Sequence, residues 1–462
     1  MNTKAEQFFR EIKGKRIAFC GVGVSNTPLI EMFLKKGAVI TVCDKRSREQ
    51  LGEICEKFEA MGAALHLGED YLKNLDVDII FRTPGMRFYL PELNQARANG
   101  VTVTSEMEVF FDLCPCKIFA VTGSDGKTTT TTIISEMLKK QGFRVHLGGN
   151  IGRALLPIIE EISPEDYAVV ELSSFQLISM RKSPDVAVVT NVAPNHLDMH
   201  KDMQEYVDSK KNLIWHQGAF SRTVLNFDND ITKDMVKETR GETLFFSRKN
   251  GPLSGAYVDE NKNLVMQYRD EKFKIVPRDE IKICGDHNVE NYLAAITAVW
   301  GYVSPENMRW VAQNFGGVEH RIEFVREIDG VKWYNDSIAT NPTRTIAGLN
   351  CFDRKVILIA GGYDKKIPFE PLAPVVNEKV KCIILMGATA EKLEKVIREA
   401  ENFKPEQLKI LHADSMEEAV RLAKENAEQG DIVSLSPACA SFDKYRNFEL
   451  RGKHFKDLVN NL

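Results

Sequence analysis

An apolar strand that runs into a glycine-containing turn constrains this chain more than any other feature. Residues 118–122 read Ile-Phe-Ala-Val-Thr, residues 123–126 read Gly-Ser-Asp-Gly, and Lys127-Thr128-Thr129 begin a predicted helix. Such a unit directs backbone N–H groups and a helix N-terminus at a phosphate. Lys127 can neutralise the outer phosphates, and Thr128 can bind Mg²⁺. The pattern therefore predicts an α/β nucleotide-binding domain.

The spacing of this turn departs from the standard P-loop. That motif requires a glycine five residues before Gly126, where this chain has Val121. An ordinary turn before a helix is the alternative interpretation. We favour phosphate binding because the strand, the Gly-Lys-Thr sequence and the helix occur together.

The length and the alternation of strands with helix-length segments indicate several domains. A chain of 462 residues is too long for one hydrophobic core, and a prior of roughly 150 residues per domain suggests about three. We expect an α/β fold with an N-terminal Rossmann-like domain (1–112), a central P-loop-type ATPase domain with a parallel sheet (113–318) and a C-terminal Rossmann-like domain (319–462). In the last domain, a helix is predicted over 452–460.

The charge balance gives no support to a role that rests on bulk charge. Lys and Arg number 61 and Asp and Glu 65, so nucleic acid and membrane surfaces are not expected partners. The charged N-terminus lacks an apolar signal core, and no apolar run reaches about 18 residues. The nine scattered cysteines are interpreted as reduced thiols. We therefore predict a cytoplasmic protein, and expect a monomer.

The first segment, taken alone, permits another class of function. Gly21-x-Gly23 follows a short strand, and Asp44 ends the next one, roughly where a ribose-binding acid belongs. The third glycine of the dinucleotide fingerprint is missing. An NAD-dependent oxidoreductase therefore stays an open alternative for this segment in isolation.

Motifs along nearly the whole chain resemble the Mur ligase and folylpolyglutamate synthase superfamily. They are Thr-Gly-x-x-Gly-Lys-Thr (122–128), Gly-Gly-Asn-Ile-Gly (148–152), Glu-Leu-Ser-Ser-Phe-Gln-Leu (171–177), Asn-Val-Ala-Pro-Asn-His-Leu-Asp (191–198) and His-Asn-Val-Glu-Asn (287–291). Four C-terminal segments, 335–341, 361–365, 435–441 and 445–452, are similar to those of the D-glutamate-adding members. Two positions depart from the pattern: Asp125 stands where the family usually has Asn, and Ile338 where it often has Lys.

This resemblance implies an ATP-dependent ligase that adds D-glutamate to UDP-N-acetylmuramoyl-L-alanine during peptidoglycan synthesis. ATP phosphorylates the substrate carboxylate, and the amine of D-glutamate attacks the acyl phosphate, which gives ADP and phosphate. ATP and Mg²⁺, with two ions expected, are the implied cofactors. A sister ligase or a folylpolyglutamate-type enzyme for another amino acid is the nearest alternative, and a non-catalytic nucleotide-binding regulator is a further one.

The resemblance also implies roles for individual residues. The implied catalytic residues are Lys127, Glu171, His196 and Lys210, and the implied metal ligands are Thr128, Glu171, His196 and Lys210, the last as a carbamate. ATP contacts are expected at Gly123, Ser124, Asp125, Gly126, Lys127, Thr128, Thr129, Asn288, Asn291, Arg321 and Asp336. UDP-substrate contacts are expected at Val24, Ser25, Asp44, Lys45, Arg46, Thr83, Gly85 and Asn150. D-Glutamate contacts are expected at Thr340, Lys365, Ser441 and Phe448.

Most of these residues also have a structural interpretation. Glu171 follows a strand and suits Mg²⁺, but it can equally cap a helix or pair with a cation. His196 can be a hydrogen-bonded structural residue, with Asp198 orienting it. Lys210 can form a solvated helix pair with Lys211. The remaining asparagine, arginine and aspartate candidates can serve as turn, capping or interdomain residues.

Overall fold

The computed structural model describes residues 3–23, 25–195, 199–251 and 254–462. The chain divides into two compact units, the first formed by Met1–Glu280 with Val289–Gln313 and the second by Ile281–Asn288 with Asn314–Leu462. Both have strands alternating with helices, which confirms the predicted α/β class. The boundary expected near residue 112 falls within the first unit, between two separate sheets, and its position stays a prediction. In the described ranges, no helix is both long and apolar enough to cross a membrane.

The first sheet is parallel and has the strand order β3-β2-β1-β4-β5. Its strands are β1 (Arg16–Cys20), β2 (Val39–Asp44), β3 (Ala64–Leu67), β4 (Ile79–Arg82) and β5 (Thr102–Thr104), and its helices are α1 (Thr3–Ile12), α2 (Asn26–Lys35), α3 (Arg48–Leu51), α4 (Glu53–Ala60), α5 (Pro91–Ala98) and α6 (Glu106–Leu113). Phe19, Phe33 and Phe81 are fully buried between sheet and helix. This is the expected Rossmann-like arrangement, in which ligands bind at the carboxyl ends of the strands.

The second sheet has the order β14-β13-β12-β11-β10-β9-β6-β8-β7. Its strands are β6 (Lys117–Thr122), β7 (Val145–Gly149), β8 (Tyr167–Glu171), β9 (Val186–Val189), β10 (Arg222–Asn226), β11 (Glu242–Ser247), β12 (Gly255–Val258), β13 (Asn263–Tyr268) and β14 (Glu271–Pro277). Its helices are α7 (Lys127–Lys140), α8 (Ser174–Leu177), α9 (Met203–Trp215), α10 (Asp230–Asp234), α11 (Asp286–Val299) and α12 (Pro305–Asn314), with 3₁₀ helices at Leu156–Glu161, Met235–Glu238 and Arg278–Glu280.

The central sheet contains the expected parallel strands and, at one edge, two antiparallel pairings. The strands from β7 to β12 run parallel, but β13 pairs antiparallel with β12 and with β14. The links between these last strands span only residues 259–262 and 269–270. A parallel crossover needs a dozen or more residues, so such short links permit only hairpins.

Helix α7 follows the phosphate-binding turn and contains an unusual run of five threonines, residues 128–132. β-Branched residues lower helix propensity because they lose side-chain freedom against the preceding turn. Here Thr131 donates from Oγ1 to the carbonyl of Lys127 at 2.7 Å, and Thr132 donates to that of Thr128 at 2.8 Å. These bonds satisfy the hydroxyls inside the helix. The burial of Thr130 and Thr131 against the sheet fixes the helix start beside the turn.

The second unit contains the third sheet, with the order β15-β16-β20-β17-β18-β19. Its elements are β15 (Glu323–Ile328), β16 (Val331–Asn335), α13 (Pro342–Leu349), β17 (Val356–Ala360), α14 (Ala373–Lys379), β18 (Val380–Met386), α15 (Ala390–Glu399), β19 (Lys409–Ala413), α16 (Met416–Glu425), β20 (Ile432–Leu435) and α17 (Phe448–Asn460). All neighbours are parallel except the β15–β16 hairpin.

Two elements of the second unit differ from the sequence expectations. The hairpin turns at Asp329-Gly330, both with positive φ, and this dipeptide is a known hairpin signal that the sequence analysis did not use. Helix α17 begins at Phe448 rather than at Gly452. The side chain of Asn447 accepts a hydrogen bond from the backbone N–H of Leu450 and caps the helix one turn earlier than expected.

Candidate functional site

The turn after β6 requires glycine at two positions. Gly123 and Gly126 have φ angles of +153° and +77°. A Cβ on Gly123 would overlap the hydroxyl of Thr190, and one on Gly126 would overlap the side-chain oxygen of Asn291. The backbone therefore approaches its neighbours more closely than any side chain would permit.

The end of β9 holds the same turn in place. The backbone N–H groups of Ser124 and Asp125 donate to Asn191, to its carbonyl at 2.8 Å and to its side-chain oxygen at 2.9 Å. The hydroxyl of Thr190 donates to the carbonyl of Asp125 at 2.6 Å. Asn191, which follows β9, therefore shapes the loop through hydrogen bonds. The loop itself has Asp125 at the position where the family that the sequence resembles usually has an asparagine. Thr190 was not a sequence candidate.

Two lysines meet at one carbonyl of the turn. The Nζ atoms of Lys127 and Lys210 donate to the carbonyl of Gly123 at 3.0 and 2.8 Å, and Lys127 also donates to Ser124 at 2.9 Å. Lys210 is only 1% exposed. Burial, with the charge of Lys127 as a second cause, lowers the pKa of Lys210 to about 7. Lys210 therefore holds a substantial fraction of neutral amine near neutral pH.

The solvated-pair interpretation does not describe Lys210, although it sits next to Lys211 on α9. The Nζ of Lys211 pairs with Glu238 at 2.6 Å. The Nζ of Lys210 instead lies 4.6 Å from the ring centroid of Tyr206. The hydroxyl of Tyr206 is 2.9 Å from that of Ser124 in the turn. Tyr206 thus links α9 to the phosphate-binding turn, a contact that the sequence analysis missed.

Glu171 ends β8 beside the start of α7 and is almost fully buried. The hydroxyl of Thr128 donates to its Oε2 at 2.6 Å, and the side-chain amide of Asn150 donates to its Oε1 at 2.7 Å. The structure therefore places Asn150, expected at the UDP-substrate, beside the carboxylate of Glu171. A hydroxyl and a carboxylate oxygen this close form a hard oxygen donor set that fits Mg²⁺.

The remaining predicted metal residue, His196, and Asp198 lie outside the described residues. Within the described ranges, no group of three or more His, Cys, Asp or Glu side chains could hold a metal. The oxygen atoms of Thr128 and Glu171 and the buried amine of Lys210 are thus the predicted ligands whose position can be stated.

The first sheet brings the predicted UDP-side residues to its carboxyl edge. The Asp44 carboxylate accepts the backbone N–H of Val22 at 2.7 Å and pairs with the guanidinium of Arg46 at 2.8 Å. Burial raises the pKa of Asp44, but these hydrogen bonds outweigh it, so the pKa is lowered overall. Thr83 packs against Gly21, where an added Cβ would lie 2.7 Å from the Thr83 methyl group.

Three other predicted contacts of this edge make fewer interactions. Ser25 precedes α2 without a side-chain capping bond, Lys45 is exposed, and Gly85 has open space around its Cα. Val24 lies outside the described residues. What these positions contact in a complex stays a prediction.

A buried arginine near this edge was not a sequence candidate. Arg82, at the end of β4, donates to the carbonyl of Phe175 at 3.0 Å and to the hydroxyl of Ser179 at 2.7 Å. Burial lowers its pKa to about 10. Arg82 thus ties the loop that holds Thr83 to the segment that follows Glu171. The only sequence signal would have been a charged residue that ends an apolar strand.

The predicted ATP residues near α11 have different surroundings. The Asn288 side-chain amide donates to the carbonyl of Cys284 at 2.6 Å, whereas the Asn291 side-chain oxygen accepts from the hydroxyl of Thr130 at 3.2 Å. Asn291 therefore lies against the phosphate-binding turn, beside Gly126.

Asp336 of the second unit is buried at the end of β16. Its carboxylate accepts the hydroxyl of Ser436 at 2.7 Å, and burial raises its pKa to about 7. The positive charges of Arg321 and Arg344 oppose that rise. Arg321 itself follows Val318, whose carbonyl accepts its backbone N–H at 3.0 Å. The positive charges of Arg321 and Arg344 therefore lie close enough to Asp336 to act on its carboxyl group.

The predicted D-glutamate residues lie on neighbouring loops of the second unit. The Nζ of Lys365 is 3.4 Å from the hydroxyl of Thr340. Ser441 is buried after β20, and Phe448 begins α17, where its carbonyl accepts the hydroxyl of Ser337 at 2.8 Å.

Buried Arg451 joins these loops and was not a sequence candidate. Its guanidinium donates to the hydroxyl and carbonyl of Ser337 at 3.0 and 2.9 Å, and to the carbonyls of Cys439 and Ala440. Burial lowers its pKa to about 10. Its position one helical turn after Phe448 was the available sequence signal.

Three family models together match most of the chain. They are a Mur ligase MurD-like N-terminal domain over residues 15–105, a Mur ligase middle domain over 121–299 and a Mur ligase glutamate ligase domain over 320–439. The chain therefore matches an N-terminal, a middle and a C-terminal Mur ligase domain, in the order expected from the sequence.

Curated relatives are similar over their whole length. A UDP-N-acetylmuramoylalanine--D-glutamate ligase of Acetivibrio thermocellus is 55% identical, and one of Clostridium botulinum strain 657 is 51% identical; each alignment covers 100% of both chains. A protein of the same name from Ruminiclostridium cellulolyticum is 50% identical, also over both full lengths.

Solved structures support the fold. A UDP-N-acetylmuramate-alanine ligase from Thermotoga maritima aligns with a TM-score of 0.60 and 16% identity, over 97% of this chain and 99% of that one. A UDP-N-acetylmuramoyl-L-alanyl-D-glutamate--2,6-diaminopimelate ligase aligns with a TM-score of 0.58, over 98% and 94%. Together with the full-length relatives, these matches show that the chain belongs to the Mur ligase family, alongside the UDP-N-acetylmuramoylalanine--D-glutamate ligases.

Proposed function

We propose that this chain is an ATP-dependent ligase that joins D-glutamate to UDP-N-acetylmuramoyl-L-alanine in peptidoglycan synthesis. The observation that carries the proposal is the full-length identity of 55% with a ligase of that name, because it includes all three domains. The glycine turn, with Lys127, Thr128 and Glu171 around it, supplies the matching chemistry. The substrates are small molecules, and we place the reaction in the cytoplasm and expect the protein to work as a monomer.

The phosphate-binding turn is proposed to hold the triphosphate of ATP. The backbone N–H groups at the N-terminus of α7 would donate to the anion, as at other helix starts. The ammonium group of Lys127 donates to two carbonyls of the turn, at 2.9 and 3.0 Å. Phosphate oxygens are charged acceptors and form stronger hydrogen bonds than carbonyls do. Lys127 would therefore turn to the phosphates and neutralise charge that builds up during transfer.

Thr128 and Glu171 are proposed to hold one Mg²⁺ ion. When bound there, the ion would supply positive charge that offsets the negative charge of the phosphates. Asn150 fixes the second oxygen of Glu171 and so orients the carboxylate. By resemblance, His196 and Lys210 would hold a second ion.

Lys210 is proposed to act as a carbamate. Its neutral amine would attack CO₂ to form an N–C bond and lose one proton, which gives an anionic group in place of a cation. Two features support this role: burial lowers the pKa of Lys210 to about 7, and the cation of Lys127 lies at the same carbonyl. A negative group there would relieve the repulsion between the lysines.

The other substrates are assigned to the remaining sites. The UDP-substrate would occupy the carboxyl edge of the first sheet, at Ser25, Asp44, Lys45, Arg46, Thr83 and Gly85, with Val24 by resemblance. D-Glutamate would occupy the loops of the second unit at Thr340, Lys365, Ser441 and Phe448. Adenosine contacts are proposed for Asn288, Asn291, Arg321 and Asp336.

The test measures phosphate release from ATP with UDP-N-acetylmuramoyl-L-alanine and a panel of amino acids. We expect turnover with D-glutamate, and little with L-glutamate, L-alanine or diaminopimelate. Lys127→Ala should abolish turnover, whereas the control Lys139→Ala, an exposed lysine paired with Glu136 on the same helix, should not. A preference for L-alanine or diaminopimelate would assign the chain to a sister ligase. ATP binding without release that depends on an amino acid would indicate a regulator instead.

A further inference from the structure

Two cationic side chains lie at one turn of the second unit, residues 338–341. The Nη1 of Arg344 donates to the carbonyl of Ile338 at 3.2 Å. The Nζ of Lys365 lies 3.4 Å from the hydroxyl of Thr340. The backbone N–H of Thr340 donates to that same Ile338 carbonyl at 2.8 Å. Both cations therefore contact residues of one tight turn.

Neither cation has an acidic partner in the described part of the chain. Both side chains are exposed, and no carboxylate there lies within salt-bridge distance of either. The nearby acids are otherwise engaged: Asp364 pairs with Lys392 at 3.0 Å, and Asp336 accepts the hydroxyl of Ser436. In the described part of the chain, the turn therefore has two positive charges that form no salt bridge with a carboxylate.

Arg344 is held at the start of α13, where its positive charge lowers the stability of the helix. Asn341 caps α13 by accepting the backbone N–H of Arg344 at 3.0 Å, and Pro342 begins the helix. Arg344 thus lies in the first helical turn, where a cation opposes the helix dipole and an acid would be favoured. The first turn of α13 contains no acid. Helix stability therefore gives no reason for an arginine here.

Ile338 gives a second indication. Ile338 itself has an apolar side chain and supplies no charge at the turn. The guanidinium of Arg344 lies on the backbone carbonyl of Ile338 itself. Arg344 thus places a positive charge at the backbone of Ile338, and its planar group can bind a carboxylate through two donors.

We propose that Arg344 determines specificity for an amino acid with two carboxylates, by binding one of them while Lys365 binds the other. The inference rests on the proposed function, since it concerns the D-glutamate site. Two cations match a dicarboxylate, whereas an amide analogue leaves one cation without a partner. Discrimination then arises from one charged hydrogen-bonded pair, an interaction stronger than a neutral one.

The experiment compares steady-state kinetics of wild type, Arg344→Ala, Arg344→Lys and Arg344→Ala with Ile338→Lys. We expect Arg344→Ala to raise KM for D-glutamate about tenfold or more, while kcat and the KM values of ATP and the UDP-substrate change little. The preference for D-glutamate over D-glutamine should fall in parallel. The positive charge that Ile338→Lys adds beside the same turn should restore much of both.

The control is Arg354→Ala, which removes an exposed arginine of the same unit that pairs with Asp353. Its KM for D-glutamate should stay at the wild-type value. Far-UV circular dichroism and urea unfolding check that each variant folds, and Arg344→Lys provides the comparison if Arg344→Ala does not.

Three outcomes separate the two proposals. Wild type without phosphate release that depends on D-glutamate would refute the proposed function. Normal turnover with an unchanged KM for D-glutamate in the folded Arg344 variants would refute only the role of Arg344. An equal rise of KM for all three substrates, or a loss of kcat alone, would assign Arg344 a structural role and also overturn the inference.

Discussion

The carboxyl group of Glu106 is buried at the start of α6 and gives a quantitative test of how burial acts on this protein. Its side chain is only 5% exposed. One oxygen accepts the backbone N–H groups of Leu155 and Leu156 at 2.8 and 2.9 Å. Burial raises the pKa of Glu106 from 4.5 to about 7, although these two hydrogen bonds lower it in part. The folded state thus binds a proton more tightly than the unfolded chain does.

The sign of the effect follows from linkage. A folded-state pKa above the unfolded value means that the contribution to stability is fully present below pH 4.5 and is lost as pH rises through 7. The full difference amounts to about 3.4 kcal/mol, of which about 2.5 kcal/mol is lost between pH 5 and pH 8. Glu106→Gln keeps an oxygen acceptor for the two N–H groups but has no proton to lose.

The assay is urea unfolding, followed by tryptophan fluorescence, of wild type and Glu106→Gln at pH 5, 6, 7 and 8. The free energy of unfolding of the variant relative to wild type should rise with pH by about 2.5 kcal/mol. Contributions of other buried acids, such as Asp336, are common to both proteins and cancel in the difference. The control Glu53→Gln replaces an exposed carboxylate on α4 and should give a flat difference. A flat difference for Glu106→Gln as well would refute the effect of burial.

Two further predictions concern the phosphate-binding turn. Lys210→Ala should reduce ligase turnover about a hundredfold, as expected for loss of a metal ligand or its support, and added acetate should restore part of the activity. Lys211→Ala is the control at the neighbouring position and should keep its activity. Full activity of Lys210→Ala would exclude the carbamate. Gly126→Ala should weaken ATP binding at least tenfold in calorimetry, because the new methyl group would overlap Asn291 at a positive φ, whereas Gly218→Ala, with open space around it, should bind normally. Unchanged affinity of Gly126→Ala would show that the turn tolerates a side chain.

Local spacing was enough to predict the centre of the candidate site. The apolar strand expected to end at Thr122 and the helix expected from Lys127 coincide with β6 and with the start of α7. An apolar run followed by glycines and Gly-Lys-Thr restricts the backbone to few conformations, so these elements depend little on the rest of the chain. The antiparallel pairing of β13 with β12 and β14, and the β15–β16 hairpin, were not predicted because their short links were not used as hairpin signals.

The environments of charged side chains could not be predicted from neighbouring residues in the sequence. Lys210 and Lys211 are neighbours on α9, yet Lys210 is buried at the Gly123 carbonyl and Lys211 pairs with Glu238. Arg82 and Arg451 were missed for the same reason: burial of a guanidinium depends on carbonyls supplied by distant segments. Spacing along a helix shows which residues share a face, but not what that face meets.

The amino-acid sequence by itself determined the strand–turn–helix that suits a phosphate, the α/β class and the family motifs, because each depends on residues close together in the chain. Only the tertiary structure decided that Lys210 is buried whereas Lys211 pairs with Glu238. It also decided that Thr128 and Asn150 each donate a hydrogen bond to Glu171, and that Arg344 donates one to the carbonyl of Ile338. The reason is that segments far apart in sequence determine which side chains are buried and which charges are paired. Burial and charge pairing in turn determine the pKa values of these side chains and the charges that they present to a ligand.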